Sequence, residues 1–271
     1  MRRSLAARLD RLLARRATPL RDDELARRTL VVAPHPDDET LGCGGTIARL
    51  RALGAPVTVA VAADGSRSHR HLLAAEALRE RRAAELVAAC AELGVAEDHV
   101  VRLGFEDGTL EAHREDLARA IATLLAERDI ERLFVPLRAE RIQDHVAVHD
   151  AGIAAVRARL DRTVEVFEYP VWLCNVSPFV RPEAFGLRGR LRAARDSFAA
   201  VAAATRLNRQ VELGAMATVK SRALARHETQ MRRIVDDPRW LTLADVSSGA
   251  WLERLLGPRE FFATSRVQTR R

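Results

Sequence analysis

The stretch Leu30-Val-Val-Ala-Pro-His-Pro-Asp-Asp-Glu-Thr40, followed at once by Leu41-Gly-Cys-Gly-Gly-Thr46, constrains this chain more than any other. An apolar, β-branched run ends in a histidine and three consecutive acids, then passes into a glycine-rich turn and a helix-like pattern. A buried parallel strand delivers polar groups to the rim of a sheet in this way, and open α/β folds place their chemistry at that rim. His35 and Asp38 stand three apart at the strand end, with a spare carboxylate, Asp37, between them. One imidazole and one carboxylate can hold a divalent metal while the neighbouring carboxylate polarises a water beside it. A solvated turn in which Asp38 or Thr40 caps the next helix would account for part of the string. It would not account for three adjacent acids, which repel one another. The string therefore reads as catalytic.

The rest of the chain repeats the strand–helix alternation. Apolar runs at about 29–33, 57–62, 100–103, 133–137 and 164–169 read as strands. Helical patterns lie at about 41–53, 72–93, 110–127 and 146–160, the first two ending at Gly54 and Gly94. Strands and helices of these lengths predict βαβ units, hence an α/β fold with a mostly parallel sheet and helices on both faces. An amphipathic helix precedes this core, with Leu5, Leu9, Leu12 and Leu13 at helical spacing. Polar clusters follow each of the first four strands, and in a parallel sheet those loops emerge at one edge. A single active site is expected there. Pro170 to Arg192 reads as irregular and suited to a lid, 215–235 as a helix, and the tail as a loose mixture. The chain is taken as one domain over 1–271, with its core at about 29–172 and a helical and irregular extension over 173–271.

Composition narrows the partners. A length of 271 residues with 48% hydrophobic content supports one substantial core. The net charge of +7 would ordinarily suggest nucleic acid, but the arginines are scattered beside Glu and Asp along helical segments. Aromatic content is 4%, too little for base-stacking platforms, so no nucleic-acid partner is expected. Cys43, Cys90 and Cys174 lack paired spacing and fit free thiols in a reducing, cytoplasmic setting. No run of eighteen apolar residues occurs, so no membrane span is expected, and arginines interrupt the N-terminal helix too often for a signal peptide. That helix is expected to dock on the domain itself, with a membrane-surface role as the alternative. The oligomeric state stays open, a homo-oligomer included.

The His-Pro-Asp-Asp string resembles the hallmark of the PIG-L (LmbE-like) family of zinc-dependent N-deacetylases, and the resemblance extends from about Leu30 to Trp172. It implies a Rossmann-like fold, one catalytic Zn2+, and hydrolysis of an acetamide on an N-acetylglucosamine-type sugar. Asp37 becomes the general base, and His35 and Asp38 become metal ligands. The family's His-x-Asp-His motif, aligned on Asp144-His145, makes His145 the third ligand, with His149 as the competitor one helical turn on. Where the family has the first histidine of that motif, this chain has Ile142. Ile142 offers neither a hydrogen bond to an oxyanion nor a proton to an amine, so the zinc itself would have to carry more of the tetrahedral oxygen's charge, or Arg67, Arg138, Arg141 or His149 would have to compensate. The Asp64-Gly-Ser-Arg-Ser-His69 loop resembles a recurring family segment that sets Asp64 near the metal and Arg67 toward the sugar. Asp107 matches a position that binds sugar hydroxyls, although an Asp-Gly turn is an equal reading.

For the remaining polar residues the plain readings are preferred. Glu39 is taken as a structural acid at the helix start. His69, His71, His99 and His113 read as exposed or turn residues, and Cys43 as a small side chain between glycines. Trp172 fits either a sugar face or the core. The leading function is N-deacetylation of a small sugar or glycan precursor. The alternatives are an amidase on a sugar-thiol conjugate or secondary metabolite, and a sugar-binding relative without turnover. A nucleotide-dependent transferase is the remote last, since Gly42-Cys-Gly-Gly45 lacks the Gly-x-Gly-x-x-Gly order and follows three acids.

Overall fold

The structure, a computed structural model, describes residues 2–159, 163–176, 179 and 186–265. In chain order the elements are α1 (Arg2–Arg16), β1 (Thr18–Pro19), α2 (Asp22–Leu25), β2 (Thr29–Ala33), α3 (Asp38–Ala52), β3 (Val57–Ala63), α4 (Ala75–Glu92), β4 (Val100–Phe105) and α5 (Arg114–Glu127). They continue with β5 (Arg132–Pro136), α6 (Gln143–Ala158), β6 (Glu165–Tyr169), α7 (Gly186–Ala204), β7 (Arg209–Glu212), α8 (Met216–Arg226), α9 (Glu228–Met231), α10 (Ala250–Leu255) and β8 (Arg259–Ser265). The sheet runs β1-β7-β8-β6-β5-β2-β3-β4, an α/β arrangement with mostly parallel strands.

From β6 to β4 every pairing is parallel. The chain winds outward from β2 through β3 to β4, then returns to the other side of β2 to lay down β5 and β6. The direction of winding therefore reverses between β2 and β5. In open α/β sheets that switch point opens the crevice at the strands' carboxyl ends. The strand carrying His35 and the strand leading to His145 are the two that flank it.

Alternation along the central strands splits the core in two. Val31 and Ala33 face a cluster with Ile47, Leu50, Leu86 and Leu224, whereas Leu30 and Val32 face one with Leu117, Ile121, Val148 and Val156. Helices α3, α4 and α8 cover the first face, and α5 and α6 the second. A third cluster joins Leu13 of α1 to Ala200, Ala203 and Ala204 of α7, so the N-terminal helix docks on the protein's own surface.

The glycines of the 42–45 stretch lie inside α3 and serve close packing. A Cβ on Gly42 would overlap the ring of Tyr169, and one on Gly45 would overlap the side chain of Leu213. No phosphate-cradling loop is formed there. The close approach also admits a buried ion pair. Lys220 Nζ lies 2.8 Å from Glu260 Oε1 and donates to the Leu41 carbonyl, while the Gly45 and Thr46 N–H groups donate to Glu260. The chain's one lysine is thus spent inside the core.

The C-terminal third departs from the sequence reading. It contributes β7 and β8 to the same sheet, β8 running antiparallel to β6 and β7. The expected helix over 215–235 is two helices, α8 and α9, meeting at His227, whose ψ of 63° is not helical. The proposed irregular segment up to Arg192 ends earlier, because α7 begins at Gly186; residues 177–178 and 180–185 lie outside the described residues. Trp172 stacks on Trp251 with centroids 4.6 Å apart and packs against the core, which decides its reading. Among the described residues no helix is long and apolar enough to cross a membrane, and the three cysteines are free.

Candidate active site

The loop after β2 is held in an unusual backbone conformation. Asp37 has φ 128° and ψ −28°, a region L-residues rarely enter, and such strain persists only where surroundings impose it. Glu39 Oε2 accepts the Asp37 N–H at 2.9 Å, and Arg82 reaches in from α4 to the Pro36 carbonyl and to Asp37 Oδ2, the latter at 3.2 Å. Glu39 is itself clamped by His227 Nε2 at 3.0 Å, so the C-terminal third reaches beneath the loop. Helix α3 begins at Asp38, earlier than expected, which places Asp38 and Glu39 in its first turn, where the helix dipole favours carboxylates.

His35, Asp38 and His145 come together at the switch point. His35 Nδ1 lies 3.2 Å from Asp38 Oδ2, and His145 Nε2 lies 3.4 Å from the same oxygen. Ligands bound about 2.1 Å from a tetrahedral zinc stand about 3.4 Å apart, so these separations fit a common ion. The three offer one ligand atom each within 4.8 Å of one another. His35, Asp107 and Asp144 form a second group of this kind, on the Nε2 side of the same imidazole. The first group has the nitrogen-rich donor set that suits zinc, and the second has the form of its support. Asp144 Oδ2 lies 3.1 Å and Asp107 Oδ1 3.3 Å from His35 Nε2, positions that fix the ring and leave Nδ1 for an ion.

The electrostatics agree with a cation site. Burial opposes charge on His35, but the carboxylates of Asp107, Asp144 and Asp38 outweigh it and hold the imidazolium well above its usual range. His145 is raised in the same way, with Asp38 and Glu140 overcoming burial. For Asp38 burial is outweighed by His145 and His35, which pull its carboxyl down. Asp37 behaves differently. Burial pushes it up to about 7, against the pull of Arg82 and with a further push from Asp38. It belongs to neither candidate metal group.

Residues 30–156 match the PIG-L family model, described as GlcNAc-PI de-N-acetylase, a span that includes both halves of the ligand cluster. Over that span the chain is similar to this family. Over 157 residues it is 34% identical to the 1D-myo-inositol 2-acetamido-2-deoxy-alpha-D-glucopyranoside deacetylase of Actinosynnema mirum, covering 48% of this chain and 55% of that protein. Over 138 residues it is 34% identical to the probable N-acetyl-alpha-D-glucosaminyl L-malate deacetylase 2 of Bacillus cereus, covering 49% and 62%. The chain thus spans less than two thirds of the length of these curated relatives. The fold is shared with the N,N'-diacetylchitobiose deacetylase of Pyrococcus horikoshii, at a TM-score of 0.59 and 20% identity over 89% of this chain and 84% of that one.

Other residues fall into place around the cluster. His149 stands apart from it, with Nδ1 3.0 Å from Asp150 and Nε2 3.5 Å from Glu168, in neither candidate metal group. Arg138 is engaged by Asp150 at 2.7 Å. Ile142 is the half-buried residue before the first turn of α6 and belongs to none of the three apolar clusters. Arg141, exposed and with φ 61°, follows the short turn after β5. Arg67 is exposed at the rim; its guanidinium lies over Gly108 and its backbone N–H donates to Asp107. Asp64 belongs to neither candidate metal group. It ties the loops after β3 and β4 together by accepting from the Ser66 and Asp107 N–H groups and from Arg79. His69 is buried, against expectation, stacked on Trp240 at 4.0 Å and bonded to the Leu241 carbonyl. A histidine in a polar loop gives no hint of a tryptophan 171 positions away in sequence.

Arg82 and His227 are the contacts that sequence reasoning missed. Both lie on or beside helices assigned by amphipathic pattern alone, where an arginine or histidine reads as surface. No local signal marks either one, since Arg82 follows the exposed Glu80 and Arg81 and His227 sits between the exposed Arg226 and Glu228, and the partners, Asp37 and Glu39, are remote in sequence.

Proposed function

We propose that this chain is a metal-dependent N-deacetylase that hydrolyses the N-acetyl group of an N-acetylglucosamine-type sugar or sugar conjugate. The observation that carries the reading is Asp37, a buried carboxylate beside the His35/Asp38/His145 cluster that Arg82 holds outside both candidate ligand groups. His35, Asp38 and His145 would hold one Zn2+ per chain. When bound, the ion supplies Lewis acidity toward an acyl oxygen and a water. Asp37 takes a proton from the attacking water as the new C–O bond forms at the acyl carbon. It then returns that proton to the nitrogen as the C–N bond breaks, releasing acetate and a free amine. Arg67 and Asp107, at the rim formed by the loops after β3 and β4, are assigned to sugar hydroxyls. Both relatives are named for deacetylation of glucosamine-based substrates, which supports this choice of substrate class. We take 1–271 as one functional unit, because β7 and β8 complete the sheet that carries the site. Three free thiols suit a reducing compartment such as the cytoplasm.

Ile142 favours one second reading, a sugar-binding relative without turnover. A missing oxyanion donor costs about 10²–10³ in rate. The test is amine release from a panel of N-acetylated amino sugars, with metal removed by chelation and restored, in the wild type and in Ile142→His. The expected result is chelation-sensitive release by the wild type and a faster rate in Ile142→His, by up to about the same factor. Sugar binding with no amine from any panel member in either protein would establish the binding reading instead.

A further inference from the structure

Glu140 has no part in the chemistry described above, yet it is placed where it controls that chemistry. Its side chain is fully buried, and its two oxygens do different things. Oε1 accepts the N–H groups of Val171 and Leu173, at 2.5 and 2.9 Å, and so fastens the loop after β6. Oε2 lies 3.3 Å from His145 Nδ1. Both of these atoms are buried and have no other hydrogen-bonding partner. On the far side of the same ring, Nε2 faces Asp38 and the candidate ion.

We propose that Glu140 is a positioning residue that fixes His145 in the tautomer able to bind metal. The inference rests on the reading of His145 as a ligand. A neutral imidazole carries one proton, and the nitrogen that binds an ion must be the one without it. With an acceptor-only carboxylate oxygen at Nδ1, the proton resides there and the Nε2 lone pair points at the ion. Such outer carboxylates typically contribute about 10- to 100-fold in metal affinity. The same side chain anchors the loop after β6, so ligand orientation and the position of that loop are set by one residue.

Glu140→Gln tests this directly. The glutamine oxygen can still accept from Val171 and Leu173, but its amide N–H then faces Nδ1 and favours a proton on Nε2. Zinc affinity is measured by competition with a chromophoric chelator in the full-length wild type, Glu140→Gln and His145→Ala, with melting of the metal-free proteins as a check on folding. The expected result is that Glu140→Gln binds zinc about 10- to 100-fold more weakly while its metal-free form melts near the wild type. Wild-type affinity in Glu140→Gln would overturn the proposal while leaving the ligand set intact. Undiminished affinity in His145→Ala would instead overturn the ligand reading on which it rests. If Glu140→Gln fails to fold, ¹⁵N spectra of the histidine rings in zinc-loaded wild type decide. A proton on His145 Nδ1 with metal on Nε2 supports the proposal, and the reverse arrangement ends it.

Discussion

Asp37→Asn is expected to keep the metal and to lose at least about two orders of magnitude in amide hydrolysis, the size of a lost general base. The substitution is nearly isosteric with the aspartate that already occupies φ 128°, so the turn is expected to survive it. The N–H to Glu39 is a backbone bond and is unaffected, and the contact to Arg82 can be kept through the remaining oxygen. What is lost is the ability to accept and return a proton. Steady-state amine release with metal content verified on the same sample measures this. Near-normal turnover would place the base elsewhere.

The second large effect is on metal itself. His35→Ala, Asp38→Ala and His145→Ala are each expected to strip most of the bound ion, because a site with three protein ligands that loses one no longer encloses it. His149→Ala is the discriminating control. Its ring is occupied by Asp150 and Glu168, so full metal content is expected in that variant. Metal analysis after gel filtration reads all four. Full occupancy in His145→Ala with loss in His149→Ala would exchange the two roles.

Much of the centre of this molecule is legible in the sequence, because its signals are local. The β-branched run 29–33 is buried on both faces, so it reads as a continuous apolar stretch, and its bounds match β2 residue for residue. The acids at its end announce the rim, and the alternation of strands and helices through Tyr169 follows from hydrophobic period alone. The C-terminal third resisted the same treatment. β7 reads Arg-Gln-Val-Glu, and β8 holds its only apolar stretch, Phe261-Phe262-Ala263, between Arg-Glu and Thr-Ser, so neither carries the long apolar run that marks a buried parallel strand. At the site, spacing offered His35 and Asp38 as candidate ligands and the family resemblance offered His145, but the contacts that brace the loops could not be read. Arg82 to Asp37, His227 to Glu39 and Asp144 to His35 are contacts between residues 45, 188 and 109 positions apart, created only when the loops converge. Asp107 is an instance of a residue whose position was anticipated and whose neighbour was not. It lies at the rim as expected, but 3.3 Å from His35 Nε2.

Anomalous diffraction at the zinc edge from crystals of the zinc-loaded protein tests the central claim most directly. The account predicts one anomalous peak per chain, bonded to His35 Nδ1, Asp38 and His145 Nε2 at about 2.0–2.2 Å, with Asp37 close by but outside the coordination sphere. A peak on the Nε2 side of His35, between Asp107 and Asp144, or one that takes Asp37 as a ligand, would contradict it.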